Sequence, residues 1–163
     1  MQQPPNVLTI AGSDSGGGAG IQADLKTMTM MGTFGMSVIT ALTAQNGLGV
    51  TGIHAPDPSF VALQLTTVLE GFPVHAAKTG MMFNSGIINA VADILDKQSF
   101  PLVVDPVCVS TSGHKLMEED GIATLRDRLM PRAALFTPNR PEAECFAGMT
   151  IRTEDDIIEA GTR

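Results

Sequence analysis

Short apolar runs alternate along this chain with stretches whose apolar residues recur at helical spacing. Val7 to Ala11 is an apolar run ending in Gly12, the pattern of a strand buried on both faces of a parallel sheet. Ala19 to Met31 predicts a helix with Ile21, Leu25 and Met28 on one face. Val38 to Ala44 reads as a second strand and Val50 to His54 as a short third. Asp57-Pro58 supplies an N-cap and a first-turn proline for a helix through Phe60, Leu63, Val68 and Leu69. The pattern then repeats: a Val74 to Lys78 strand, a helix capped by Ser85 with Ile87, Ile88, Val91 and Leu95 inward, and a Leu102 to Asp105 strand. A Glu119 to Met130 helix with Ile122, Leu125 and Leu129 inward and an Ala134 to Phe136 strand follow.

This alternation predicts an α/β fold with a mostly parallel sheet covered by helices, whose function sits at the carboxyl ends of the strands. Those ends are the Gly12 to Gly20 loop, Ala44 to Gly47, Thr79 to Met82, Asp105 to Val107 with Ser110 to Gly113, and Thr137 to Asn139. All are rich in glycine, proline or polar residues, which suits either a shared cleft or ordinary strand-to-helix turns.

Composition narrows the class. At 163 residues and 44% apolar, the chain is read as a single unit, residues 1–163, able to bury one core. A net charge of −7 opposes broad contact with nucleic acid or anionic lipid. No apolar run approaches the ~20 residues of a membrane span and the start lacks a signal-peptide pattern, so a cytoplasmic protein is expected. Cys108 and Cys145 lack metal or disulfide spacing and read as small buried hydrophobes, and the histidines His54, His75 and His114 show no ligand spacing. Met28, Met30, Met31, Met81 and Met82 are expected to fill core or pocket gaps, with Met81 beside a strand-end glycine the one nearest a ligand site.

The glycine loop invites a phosphate-binding reading, because bare amides run there into a helix N-terminus. Its spacing excludes the two common nucleotide motifs. From Gly12, the P-loop pattern requires lysine where Gly18 stands, and from Gly16 the dinucleotide pattern requires glycine where Ile21 stands. Asp24, one turn into the helix, either points to the sheet end or favours the helix dipole. Gln45 carries the donor and acceptor needed to read a heterocycle edge, or caps its own strand. Asp105, and Asn139 with Glu142 three residues on, offer oxygen ligands suited to magnesium; Asn139 to Glu142 equally suits a helix cap.

The blocks AGSDSGGGAGIQADLKT, SVITALTAQNG, KTGMM, VVDPVCVSTSG and TPNRPEAE, in this order through essentially the whole chain, resemble the hydroxymethylpyrimidine/phosphomethylpyrimidine kinases of thiamine biosynthesis, members of the ribokinase superfamily. The resemblance implies a ribokinase-like three-layer sandwich and phosphorylation of 4-amino-5-hydroxymethyl-2-methylpyrimidine, then of its monophosphate, using ATP and Mg2+. It places Gly12, Ala19, Asp24, Gln45, Met81 and Val107 in the pyrimidine pocket. It places Asn139 and Glu142 on an element that organises magnesium and nucleotide phosphates, Glu142 acting on the metal through water, with Asp105 nearby. It also suggests a homodimer.

Family members continue past the equivalent of Arg163 into a GTG segment, followed by Cys or Asp, that carries the catalytic residue. No such segment stands in this sequence, so the fold is expected to be incomplete at its C-terminus and the isolated chain nearly inactive and less soluble than a longer parent. The other readings of the sequence are a pyridoxal kinase and a non-catalytic pyrimidine-binding module.

Overall fold

A computed structural model describes residues 3–108 and 116–163. Ser110 to Gly113 and His114 therefore lie outside the described residues. The strands are β1 (Asn6–Asp14), β2 (Phe34–Asn46), β3 (Gly49–His54), β4 (Ala76–Thr79), β5 (Leu102–Val104) and β6 (Leu135–Phe136). The helices are α1 (Gly20–Met30), α2 (Pro58–Gly71), α3 (Ser85–Leu95), α4 (Glu119–Arg128), α5 (Arg140–Ala147) and α6 (Glu154–Ala160). A short 3-10 turn at Met130–Arg132 follows α4, where Pro131 cannot continue an α-helix.

Among the described residues the sheet has six strands in the order β3-β2-β1-β4-β5-β6, parallel throughout except for the β2–β3 hairpin at one edge. From β1 the chain moves one way to β2 and then returns to the other side of β1 for β4, β5 and β6. Right-handed crossovers in opposite directions put their helices on opposite faces. Side-chain alternation shows the result. Leu8, Ile10, Met36 and Val38 pack with Val61 and Leu65 of α2 and with Ile87, Ile88 and Val91 of α3, while Leu25 and Met28 of α1 lie over Gly35 on the reverse face. The reversal creates a crevice between the carboxyl ends of β1 and β4, the place where open α/β sheets bind ligands.

Several local expectations change. β1 runs through Gly12 to Asp14, because its parallel pairing with β2 continues past a register shift near Gly12. The cap of α3 is Asn84, whose Oδ1 accepts from Ile87 N–H at 3.0 Å, rather than Ser85. Asp57 makes no side-chain cap; its backbone carbonyl accepts from Phe60 and Val61. Residues Val61 and Leu65 form the buried stripe of α2, while Phe60 and Leu63 are exposed. Met82 and Met81 are buried, but Met30 and Met31 at the end of α1 face solvent. Cys108 is buried as expected and Cys145 is exposed on α5. Amphipathic spacing leaves such choices open where a helix has apolar residues on more than one side.

Candidate functional site

A cavity of about 340 Å³ opens at the switch point. Gly12, Ala19, Asp24, Gln45, Met81, Asp105 and Val107 all line it, brought from β1, α1, β2 and the segments after β4 and β5. Asn139 and Glu142 stand outside its walls. Sequence reasoning missed Asp14, Thr43 and Lys78, which also line it. An Asp followed by serine and glycines is a turn signal that could have flagged Asp14, whereas a lysine at the end of a strand reads as solvated.

The glycine loop is already occupied by its own anion. The buried Asp14 carboxylate accepts from Gly16 N–H at 2.7 Å, Gly18 N–H at 3.0 Å and Ala19 N–H at 2.8 Å. These are the amides a phosphate would need, so the loop is a closed nest rather than a vacant cradle. Gly20 completes the turn at φ +56°, where a Cβ would stand 2.3 Å from the Gly12 carbonyl oxygen. Gly12 in turn leaves room for the Met81 thioether, which would lie 3.0 Å from any Cβ there.

Asp24 points to the sheet end. Its carboxylate accepts from Thr9 Oγ1 at 2.6 Å and from Lys78 Nζ at 3.2 Å, and Lys78 also reaches Asp105 at 3.7 Å. Two carboxylates thus share one ammonium in a half-buried wall. Burial pushes the Asp105 carboxyl above its ordinary value, with Lys78 working against the rise and Asp24 adding to it. The wall retains negative character, which suits a neutral ring with hydrogen-bond donors or a cation better than a free anion.

Gln45 is held at its backbone by Ser15, whose Oγ donates to the Gln45 carbonyl and accepts from Gln45 N–H, both at 2.8 Å. Outside the cavity walls, Asn139 and Glu142 form a capping box for α5: Asn139 Oδ1 accepts from Glu142 N–H at 3.0 Å and Glu142 Oε2 accepts from Asn139 N–H at 2.9 Å. The other Glu142 oxygen accepts from Cys108 N–H at 3.3 Å, tying the segment after β5 to α5. Burial raises the Glu142 carboxyl above its ordinary value against these hydrogen bonds, and Asp105 adds to the rise. The Cys108 thiol is pushed up to about 12 by burial and by Glu142, which disfavours the thiolate. Among the described residues no group of three or more His, Cys, Asp or Glu forms a metal cage, and no helix is long and apolar enough to cross a membrane.

Comparison with known proteins gives a consistent neighbourhood. The family model described as phosphomethylpyrimidine kinase matches residues 14–163. The chain is 49% identical over 154 residues to the hydroxymethylpyrimidine/phosphomethylpyrimidine kinase of Bacillus subtilis, covering 94% of this chain and 57% of that protein. Its fold matches the phosphomethylpyrimidine kinase of Clostridium difficile with a TM-score of 0.90 at 45% identity, over 97% of this chain and 69% of that one. It also matches the Staphylococcus aureus pyridoxal kinase in complex with AMP-PCP and pyridoxal, with a TM-score of 0.86 at 32% identity, over 99% of this chain and 58% of that one. The chain spans less than two thirds of the length of the curated relatives it matches.

Proposed function

The chain belongs to the phosphomethylpyrimidine kinase family and has its ribokinase-like α/β fold, and from that premise we propose that its switch-point cavity binds 4-amino-5-hydroxymethyl-2-methylpyrimidine for phosphorylation by ATP, first at the hydroxymethyl group and then at the monophosphate. The supporting observation is the convergence of Gln45, Asp24, Gly12, Ala19, Met81 and Val107 on one cavity whose polar groups are an amide and a lysine-held carboxylate pair. An amide offers an aminopyrimidine its complementary donor and acceptor. The apolar thioether of Met81 and the side chain of Val107 supply surface for the ring.

Phosphoryl transfer asks a protein chiefly for positioning and charge neutralisation. Magnesium fits the donor set on this side of the sheet: it takes oxygen ligands, keeps waters and needs only one or two carboxylates alongside substrate phosphates. Asp105 would hold it, with Glu142 acting through water while its capping hydrogen bonds fix its position. When bound, the metal would offset charge on the nucleotide phosphates. Cytoplasmic location and homodimer formation complete the reading, the exposed Phe60 and Leu63 of α2 supplying apolar surface for a second copy.

Calorimetric titration of the pyrimidine into the chain, with pyridoxal in parallel, tests the assignment. Preferential pyrimidine binding that falls at least about tenfold in Gln45→Ala supports it. Unchanged affinity in that variant overturns the pocket assignment, and preference for pyridoxal replaces the substrate.

A further inference from the structure

Thr43 stands at the floor of the cavity with its hydroxyl between two groups. Thr43 Oγ1 lies 3.0 Å from the Ser13 carbonyl oxygen and 3.1 Å from Gln45 Oε1. The side chain is buried, so no bulk water relieves the contact. A threonine hydroxyl has one hydrogen and can donate to only one of two acceptors. With Oε1 facing it, one of the two contacts is left as oxygen against oxygen. A half-turn of the Gln45 amide about its Cγ–Cδ bond removes the conflict: the hydroxyl donates to the Ser13 carbonyl and accepts from Gln45 Nε2, and every contact becomes a hydrogen bond.

The surroundings hold both fixed points. Ser13 is clamped from its side chain, whose Oγ accepts from Gln22 Nε2 at 2.7 Å, and the next residue's N–H donates to Gln22 Oε1 at 2.8 Å. The Gln45 backbone is pinned by Ser15. The carbonyl therefore cannot turn away from Thr43, and the amide is the part free to adjust.

We propose that Thr43, oriented by the Ser13 carbonyl, fixes the Gln45 amide with Nε2 toward Thr43 and Oε1 away from it, and so makes Thr43 the residue that selects a 4-amino over a 4-oxo pyrimidine. This rests on the pyrimidine assignment above. A fixed amide presents acceptor and donor in one order. A ring seated with its amino group opposite Oε1 and its adjacent ring nitrogen opposite Nε2 pairs at both positions. The 4-oxo analogue reverses that order, setting carbonyl against Oε1 and ring N–H against Nε2–H. Thr43 is here a positioning residue that acts through Gln45.

The test titrates the chain with 4-amino-5-hydroxymethyl-2-methylpyrimidine and with its 4-oxo analogue. The wild-type chain is expected to prefer the amino compound by about 100-fold, the consequence of two mispaired buried groups. In Thr43→Val the amide is free to turn, and the preference should fall to within about tenfold; Thr43→Ser, which keeps the hydroxyl, should restore it. A Thr43→Val chain that keeps the wild-type ratio, a Thr43→Ser chain that does not restore it, or a wild type that binds both compounds equally overturns the proposal alone. A wild type that binds neither overturns the pyrimidine assignment and this proposal with it. If Thr43→Val does not fold, the side-chain amide protons of Gln45 in the ligand-bound wild type decide: a nuclear Overhauser contact from one Nε2 proton to the Thr43 Hβ supports the fixed orientation, and its absence overturns it.

Discussion

Lys78 Nζ lies 3.2 Å from both carboxylate oxygens of Asp24, joining residues 54 positions apart in sequence across the mouth of the β1–β4 crevice. Lysine and aspartate are both partly buried, and Asp105 lies 3.7 Å from the same ammonium. Removing the cation leaves two carboxylates facing each other with reduced hydration. Lys78→Met is expected to destabilise the chain by about 1–3 kcal/mol, between the values for exposed and buried pairs. Urea denaturation reads this, and the double variant Lys78→Met with Asp24→Asn should recover much of the loss. A double variant no more stable than Lys78→Met would show that Asp24 does not depend on the ammonium.

Asp14→Ala empties the nest that now holds its carboxylate. Three amides lose their acceptor at once, and a loss of about 2–3 kcal/mol is expected. The vacated amides should then accept an external anion. Sulfate should raise the melting temperature of Asp14→Ala more than that of the wild-type chain, measured side by side with chloride at equal ionic strength.

Gly20→Ala tests the turn into α1. The left-handed backbone and the 2.3 Å approach to the Gly12 carbonyl both oppose a Cβ. Destabilisation of at least about 2 kcal/mol is expected, with Gly47→Ala, where nothing lies within 4 Å, as a mild control.

The buried Glu142 gives a pH dependence of defined sign. Its carboxyl is raised above 4.5, so the folded chain holds the proton more tightly than the unfolded chain. Stability from this group is therefore full at low pH and falls as pH rises through the window from 4.5 to the raised folded value. Glu142→Gln removes that slope while forfeiting one acceptor of the capping box. The melting temperature of the variant relative to wild type should become more favourable as pH rises across the window, and a difference that moves the other way would contradict the burial of this carboxyl.

Much of the cavity's lining was legible because strand ends announce themselves. Gly12, Gln45, Met81, Asp105 and Val107 each follow an apolar run, and the topology of an α/β sheet brings such ends to one side. Asp14 was missed although its partners, the amides of Gly16, Gly18 and Ala19, are local, whereas Thr43 and Lys78 were not legible because each is held by a partner far away in sequence, Ser13 and Asp24. Lys78 in isolation is a polar position on a strand; only the register of β1 with β4, which sets Thr9 beside Lys78, makes it the clamp on Asp24. The failed cap at Asp57 and the outward turn of Phe60 and Leu63 have a different origin. There the local signal was real, but packing of α2 on β2 and α3 selected Val61 and Leu65 as the inner face.

The order of apolar runs and helical spacings by itself determined an α/β sheet with polar, glycine-rich loops at the strand carboxyl ends, because periodicity records which faces must leave water. It also determined that the glycine loop is no P-loop, since spacing fixes where each amide and side chain can reach. Only the tertiary structure decided what fills that loop. Asp14 reaches forward into amides of its own turn, and the polar contacts that define the cavity wall, the hydrogen bonds of Thr9 to Asp24 and Thr43 to Ser13 and the ion pairs of Lys78 with both aspartates, all cross between elements whose registry no local pattern encodes.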